Sequence, residues 1–527
     1  MTRHICLQGA MMAFDDLLME LAERRQRALA QGGPEKTQLQ HSKGRLTARE
    51  RIDRLLDSET FLESGMLASS DMPGMKDKTP ADSLICGYGL IDGRQVGIIV
   101  NDFTVLASSN ARIYSKKAKK LREQVVEIGI PLVWLGESGG GRLPDIQGAV
   151  GIASLSGEGG SKASILPQYS NIRTTPWILA VMGQCNGVPM WQACLSDFVV
   201  QVKGSTLSVS GTRALHKAIA ATYTDEEMGG WRVHAEISGM ADQIAEDEED
   251  CFRFIKEFLS YMPSNNRERT PVMPVPEGTG KDMDKILDIL PEKRTRAYDM
   301  YRLITTIVDG GVIFDIKPCF GKTIITCFAR INGHTVGFVA NQPLINGGAM
   351  GIDALEKMTS FFCLCDSFNI PLVFLHDTPG FVTGKEAEHR KVGVKVTVAL
   401  EALAQVTVPK ISIIVRKTYG QAMFNMCGPT AGPDFIVAWP TAEVGFLEPE
   451  IAADVAYGNL KDEKRKTLIQ QMVRDGAPYP LAEEYYIQDI IDPRKTRQYL
   501  IDVITLISNS QTGGIGKHTL ANWPTKF

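Results

Sequence analysis

Two halves of this 527-residue chain carry the same short phrases at a constant spacing. Asp92-Gly93-Arg94-Gln95-Val96-Gly97 answers to Asn332-Gly333-His334-Thr335-Val336-Gly337, and Asn101 answers to Asn341. Ile130-Pro131-Leu132-Val133 recurs letter for letter as Ile370-Pro371-Leu372-Val373. Each pair lies 240 residues apart (92 to 332, 130 to 370), over about forty positions without a gap. A constant offset across a turn, a helix and a strand describes two copies of one fold, against the alternative of two unrelated α/β segments. Each copy has a hairpin turn at Asp92-Gly93 or Asn332-Gly333, then a helix, then a buried strand. Two copies related by a pseudo-twofold place a site at a domain or subunit boundary.

Around the repeat, strand-like runs at Leu84–Ile91, Gln95–Val100, Pro131–Leu135, Trp177–Met182 and Phe198–Val202 alternate with helical stretches such as 112–128. Such alternation argues for α/β layers. Residues 13–31 read as an amphipathic helix with Phe14, Leu17, Leu18 and Leu21 on one face. Thr47-Ala48-Arg49-Glu50 has capping-box spacing before Ile52, Leu55 and Leu56, so a second helix opens there. A polar stretch with Pro271, Pro274, Pro276 and Pro291 has boundary composition. The expected organisation is an N-terminal helical extension (1–40), a first domain (41–270), a linker (271–298) and a second domain (299–527).

Composition removes several classes. Lys+Arg 57 against Asp+Glu 61 gives a formal net charge of −4, which excludes a nucleic-acid binder working through bulk charge. With 44% hydrophobic and 22% charged residues the chain is globular, not disordered. The ten cysteines include no C-x-x-C pair and read as core thiols in a reducing compartment. The histidines show no metal-ligand spacing, so no metal is expected. No apolar window is long enough to span a membrane, and the first residues are too weakly apolar for a signal peptide. A cytoplasmic location is expected.

Candidate chemistry sits in glycine-rich turns. After each repeated strand comes one: Glu137-Ser138-Gly139-Gly140-Gly141-Arg142 and Asp377-Thr378-Pro379-Gly380-Phe381. Glycines there let main-chain N–H groups approach a ligand. A further turn follows the next strand in each half. In the first, Pro189 suits the first turn of a helix, so Gly187 and Val188 would offer free N–H groups at a helix start. In the second, Arg416-Lys417-Thr418-Tyr419-Gly420-Gln421-Ala422-Met423-Phe424, the amides of Gln421 and Ala422 would do the same. Such groups stabilise a developing anion.

Rival motifs are weaker. Gly136-Glu137-Ser138-Gly139-Gly140 matches the hydrolase elbow G-x-S-x-G, but Gly-Arg-Leu-Pro follows where a helix should start, and the repeat partner has no serine. Gly321-Lys322-Thr323 has the tail of a phosphate loop, but Ile316 stands where its first glycine belongs. Lys116, Lys117, Lys119, Lys120 and Arg122 read as a solvated helix face, with a seat for a phosphorylated ligand as the alternative.

At these residues the chain resembles the carboxyltransferase (β) subunits of biotin-dependent acyl-CoA carboxylases of the propionyl-CoA carboxylase type, from about residue 13 to about 510. The matching segments include Leu46–Ile52, Asp102–Val105, Ser138–Arg142, Val339–Pro343, Thr378–Phe381, Arg416–Gly420 and Ala438–Glu443. The resemblance implies two tandem crotonase-like domains of ββα superhelix, acyl-CoA on the first and biotin on the second. It implies a hexameric core and a separate α subunit carrying biotin carboxylase and the biotinyl carrier; this chain lacks the Ala-Met-Lys-Met attachment pattern.

In that scheme carboxybiotin releases CO2, the amides of Gln421 and Ala422 hold the ureido oxyanion, and those of Gly187 and Val188 hold the thioester enolate. The α- or vinylogous carbon then attacks CO2. Ser138, Gly139, Gly140, Gly141, Arg142 and Phe424 are expected against the acyl-CoA, and Gly380, Phe381, Tyr419 and Gly420 against biotin. The chain departs from the family's Gly-Gly-Ala at both turns, with Gly187-Val188-Pro189 and Gly420-Gln421-Ala422. Phe424 replaces a small or acidic group, which points to an acyl group other than propionyl. Two other readings stay open: the carboxyltransferase of an acyl-CoA decarboxylase or transcarboxylase, and a non-catalytic assembly subunit.

Overall fold

The computed structural model describes residues 2–155, 167–170, 172–458 and 461–524, with the side chains of 2–13 and 167–168 outside that description. The side chain of Cys6, expected among the core thiols, falls outside it. The nine other cysteines are free, and all but Cys194 and Cys319 are buried. The chain forms two compact units. One comprises Met1–Ser170, Thr175–Val233 and Ile244–Lys256; the other comprises Asn171–Thr174, His234–Gln243 and Glu257–Phe527.

The first unit is built on an eight-stranded sheet. Its order is β1 (Leu62–Ser64), β2 (Leu84–Ile91), β3 (Arg94–Asn101), β4 (Leu132–Ser138), β5 (Trp177–Asn186), β6 (Phe198–Val202) and β8 (Gln243–Ala245), with β7 (Thr206–Ser208) paired to β5. The β2–β3 hairpin is antiparallel, and the β3–β4, β4–β5, β5–β6 and β5–β7 pairs are parallel. The second unit repeats the plan with β9 (Ile313–Asp315), β10 (Ile324–Ile331), β11 (His334–Asn341), β12 (Leu372–Thr378), β13 (Lys410–Tyr419), β14 (Phe435–Ala438) and β16 (Asp489–Ile490), and with β15 (Glu443–Gly445) paired to β13. Its β10–β11 hairpin is antiparallel and its β11–β12–β13–β14 run is parallel. Both β4 and β12 are buried along their whole length, as expected of parallel strands covered on both faces.

The repeat reaches further than its sequence signal. Both hairpin turns place two residues at positive φ, Asp92 (50°) with Gly93 (77°) and Asn332 (51°) with Gly333 (81°), the requirement of a type I′ turn. A carboxylate clamps each turn. Asp57 accepts from the amides of Asp92 (3.0 Å) and Gly93 (2.8 Å), and Asp309 accepts from those of Asn332 (3.1 Å) and Gly333 (2.6 Å). Upstream of the clamps, the helices Ala48–Leu55 and Met300–Ile307 correspond. The first has the expected capping box on Thr47 and Glu50; the second is capped by Asp299.

The stretch 271–298 is not the free linker its composition suggests. Ile286, Ile289 and Tyr298 belong to the second unit's core with Leu303, Phe338 and Trp439. A few spaced apolar side chains are enough to bury an irregular, proline-rich path. The N-terminal helix Thr2–Leu29 keeps its apolar stripe exposed (63% at Phe14, 37% at Leu21). Among the described residues no helix is long and apolar enough to cross a membrane.

A buried acid ends each of the two repeated strands. Glu137 is inaccessible to solvent and accepts from Arg51 (2.8 Å), Arg45 (2.9 Å) and Gln40 (2.7 Å). Arg51, also fully buried, forks onto Glu248 (2.7 and 3.0 Å). Asp377 takes the Arg416 Nε (2.9 Å) and the Lys417 amide (3.3 Å), while Arg416 donates to the Arg296 carbonyl (2.8 Å) and lies 4.7 Å from the Tyr298 ring. Beside it His376 is inaccessible, with Nδ1 3.3 Å from Thr418 Oγ1 and Nε2 unpartnered. Burial pushes its pKa down to about 3.

Two outcomes are expected. Glu137→Ala leaves Arg45 and Arg51 short of a counter-charge in a dry site and should destabilise the first unit by roughly 3–5 kcal/mol, read from its denaturant midpoint. His376 is neutral when folded but charged when unfolded below its ordinary pKa of 6.5. Stability should therefore fall as pH drops from about 6.5 toward 3, by at most about 1.4 kcal/mol per pH unit from this group. His376→Leu should flatten that slope in denaturation curves measured across this range.

Candidate functional site

In each unit the parallel strands β4 and β5, or β12 and β13, end side by side, with Ser138 opposite Cys185 and Thr378 opposite Thr418. Two turns therefore meet at the same edge of each sheet. The β4 turn is braced from within. Ser138 donates to the Ser108 carbonyl (2.8 Å) and accepts from the Gly140 amide (3.2 Å), and the Gly139 amide donates to the Ala107 carbonyl (2.8 Å). The Ser138 hydroxyl is thus committed to shaping the turn and is no nucleophile. Thr378 holds the Gly380 amide at the same 3.2 Å. The Gly141 and Phe381 amides have no acceptor among the described residues.

Arg142, expected against the acyl-CoA, is spent internally. Its guanidinium meets Asp82 (2.7 Å), Asp145 (3.2 Å), the Ser109 carbonyl (2.9 Å), Ser83 Oγ (3.3 Å) and Ser109 Oγ (3.4 Å). Those contacts use all five of its N–H groups. Residue type and position beside a glycine turn suggested a ligand contact; only the fold brings two carboxylates to it. The basic helix face is also only partly solvated. The Lys117 ammonium turns inward onto the carbonyls of Ala81 and Leu84, as Lys357 does onto those of Phe320 and Ile324. Arg122 reaches Gln192 Oε1 at 3.0 Å.

The second turn of each unit has one construction. Gly187 (φ 73°) donates its N–H to the Ser208 carbonyl on β7, and Gly420 (φ 58°) donates to the Gly445 carbonyl on β15, each at 2.9 Å. Their carbonyls then accept from Met190 (2.9 Å) and Met423 (3.2 Å). In this correspondence, 233 residues apart, Gly187 answers to Gly420, Val188 to Gln421, Pro189 to Ala422 and Trp191 to Phe424. The amide pairs expected from sequence are therefore one residue out of step with each other. Gln421 and Ala422 both present amides without an acceptor among the described residues. In the first unit Val188 does so, but the Gly187 amide is already used and Pro189 has none. A shift from 240 to 233 in the spacing, arising between β4 and β5 against β12 and β13, conceals this alignment in the sequence.

Around the second turn, Tyr419 is buried and its hydroxyl donates to Glu443 (2.8 Å), which also holds Arg294 (3.1 Å). A cavity of about 310 Å³ lies beside it, lined by residues that include Tyr419, Glu443, Gly445, Phe446 and Leu447. Phe424 is half-buried and Trp191 is 46% exposed. Each turn thus offers unpaired main-chain donors at an accessible edge, the arrangement that binds a carbonyl oxygen gaining negative charge.

Comparison with known proteins gives the family. Residues 39–516 match the carboxyl transferase domain family. The methylmalonyl-CoA decarboxylase subunit alpha of Veillonella parvula is 32% identical over 496 residues, covering 93% of this chain and 96% of that protein. The mitochondrial propionyl-CoA carboxylase beta chain of Sus scrofa is 34% identical, covering 90% and 88%. The crystal structure of transcarboxylase 12S, described as a hexamer assembly with methylmalonyl-coenzyme A bound, superposes with a TM-score of 0.88 at 32% identity, covering 94% and 96%. The chain belongs to the carboxyltransferase family and is an enzyme of two crotonase-like domains.

Proposed function

We propose that this chain moves a carboxyl group from a biotin carried on a partner subunit to the α- (or vinylogous) carbon of an acyl-CoA thioester, as the carboxyltransferase component of an acyl-CoA carboxylase. The observation that carries this reading is the pair of matched turns, with the Val188 amide in one and those of Gln421 and Ala422 in the other lacking an acceptor among the described residues. Biotin, when bound, supplies the carboxyl group and a proton acceptor. The second turn fits its ureido carbonyl: Gln421 and Ala422 offer adjacent donors beside a cavity walled by Tyr419 and Phe446. Gly380 and Phe381 lie on the neighbouring turn and would help to seat the ring.

The first turn would hold the thioester oxygen through Val188, with Gly139, Gly140 and Gly141 as the adjoining wall. Phe424, two residues beyond Ala422 and half-buried, would suit an apolar acyl chain larger than propionyl. Assembly with a biotin carboxylase and biotinyl carrier subunit, a hexameric core and a reducing, cytoplasmic setting complete the reading; the buried free thiols support the last of these.

One observation favours a second reading. Relatives named as decarboxylase and as carboxylase subunits are equally similar, at 32–34% identity, so the same transfer run in reverse is the alternative direction. The deciding experiment captures the biotinylated partner with this chain and measures ATP-dependent fixation of labelled bicarbonate on a panel of acyl-CoAs. We expect fixation, best on an apolar acyl-CoA longer than propionyl-CoA, with Phe424→Ala changing the preference. Propionyl-CoA as clearly the best substrate would remove the role given to Phe424. Proline is well tolerated at the first position of a helix. Val188→Pro should therefore delete one donor while keeping the fold, and lower turnover by ~10²–10³.

A further inference from the structure

The first turn is one donor short of the second, because Pro189 stands where Ala422 supplies an N–H. The Gly187 amide cannot replace it, being donated to Ser208. A polar side chain is present at the same place. Asn186, the last residue of β5, is only 7% exposed. Its Oδ1 accepts from Ser208 Oγ at 2.7 Å, which fixes the plane of the amide. Its Nδ2 hydrogens meet no acceptor among the described residues. The residue is buried but this nitrogen is not sealed off from solvent, so its N–H is open to water or to a ligand oxygen.

The surroundings agree. A Cβ built on Gly140 would lie 3.7 Å from the Asn186 Cβ, so Asn186 sits where the glycine turn after β4 meets the start of helix Val188–Leu195. A Cβ at Gly211 would come 2.9 Å from Asn186 Nδ2. Gly211 has an ordinary φ of −66°, open to any residue, so its missing side chain serves to leave the amide unobstructed. In the second unit, where both main-chain amides are present, the corresponding residue is Tyr419, and its hydroxyl is committed to Glu443. The side-chain donor occurs in the copy that lacks the main-chain one.

We infer that Asn186 is a catalytic residue whose Nδ2–H, together with the Val188 amide, binds the thioester oxygen as it gains charge, in place of the N–H that Pro189 lacks. This rests on the proposed reading of the first turn as the thioester site. The test uses the full chain with its biotinylated partner and compares Asn186→Ala, Asn186→Asp, Pro189→Ala, the Asn186→Ala/Pro189→Ala double variant and Val188→Pro.

Loss of the donor should lower kcat by ~10²–10³ with KM for the acyl-CoA changed by less than about threefold. Asn186→Asp keeps the size and the Ser208 contact, so it should lose at least as much turnover without a lower melting temperature. Pro189→Ala restores a main-chain donor, so the double variant should regain at least about tenfold over Asn186→Ala. Turnover in Asn186→Asp and Asn186→Ala near wild type, with Val188→Pro inactive, would overturn the role of Asn186 and leave the site assignment standing. A double variant no better than Asn186→Ala would also overturn it, since Asn186 would then act by holding the turn. Wild-type turnover in Val188→Pro would remove the site assignment itself.

Discussion

Each copy of the fold depends on one main-chain hydrogen bond. The glycine that closes the long parallel strand, Gly187 or Gly420, gives its N–H to a three-residue strand laid alongside. The bond holds the chain at positive φ, a conformation other residues reach only at a cost. It also turns the chain sharply, so that the next N–H groups, of Val188 in one copy and of Gln421 and Ala422 in the other, have no carbonyl to receive them among the described residues. An unsatisfied donor is normally a defect. At the lip of a sheet, beside a second glycine turn, such a donor is what the proposed function assigns to a ligand oxygen.

The buried acids behind these turns give the arrangement its rigidity. Glu137 and Asp377 sit one residue before the bracing hydroxyls of Ser138 and Thr378. Their networks differ: Glu137 is held by arginines from an N-terminal helix and the segment before it, Asp377 by Arg416 on the neighbouring strand. Donors that are fixed before the charge develops need no reorganisation when it does. His376, kept neutral by burial, adds no competing charge beside the second turn. The two copies differ at the second turn, through Pro189 against Ala422 and Trp191 against Phe424, while the hydrogen bonds that shape the turn are the same.

Much of this was legible in the residues. The constant offset between Asp92–Val133 and Asn332–Val373 announced a duplicated α/β fold, and the capping box at Thr47 marked a helix start that the structure retains. The motif set pointed to the carboxyltransferase family. Less visible were correspondences whose spacing changes. Asp57 answers to Asp309, and Gly187 to Gly420, at offsets other than 240, because loops of different length intervene. Arg142 and Lys117 were read by residue type, and burial against Asp82, Asp145 and the Ala81 carbonyl gave both of them structural work. The proline-rich stretch 271–298 was read by composition, yet Ile286 and Ile289 anchor it in a core.

The sequence alone determined the architecture and the family, because turn glycines, strand hydrophobicity and the repeat are local properties written along the chain. Only the tertiary structure decided which N–H groups are free. A donor's availability depends on the strand that folds back against it: Ser208 and Gly445 lie 21 and 25 residues beyond the glycines they engage. Whether an amide ends in a ladder or faces a ligand is settled by that pairing, and no single residue's identity encodes it.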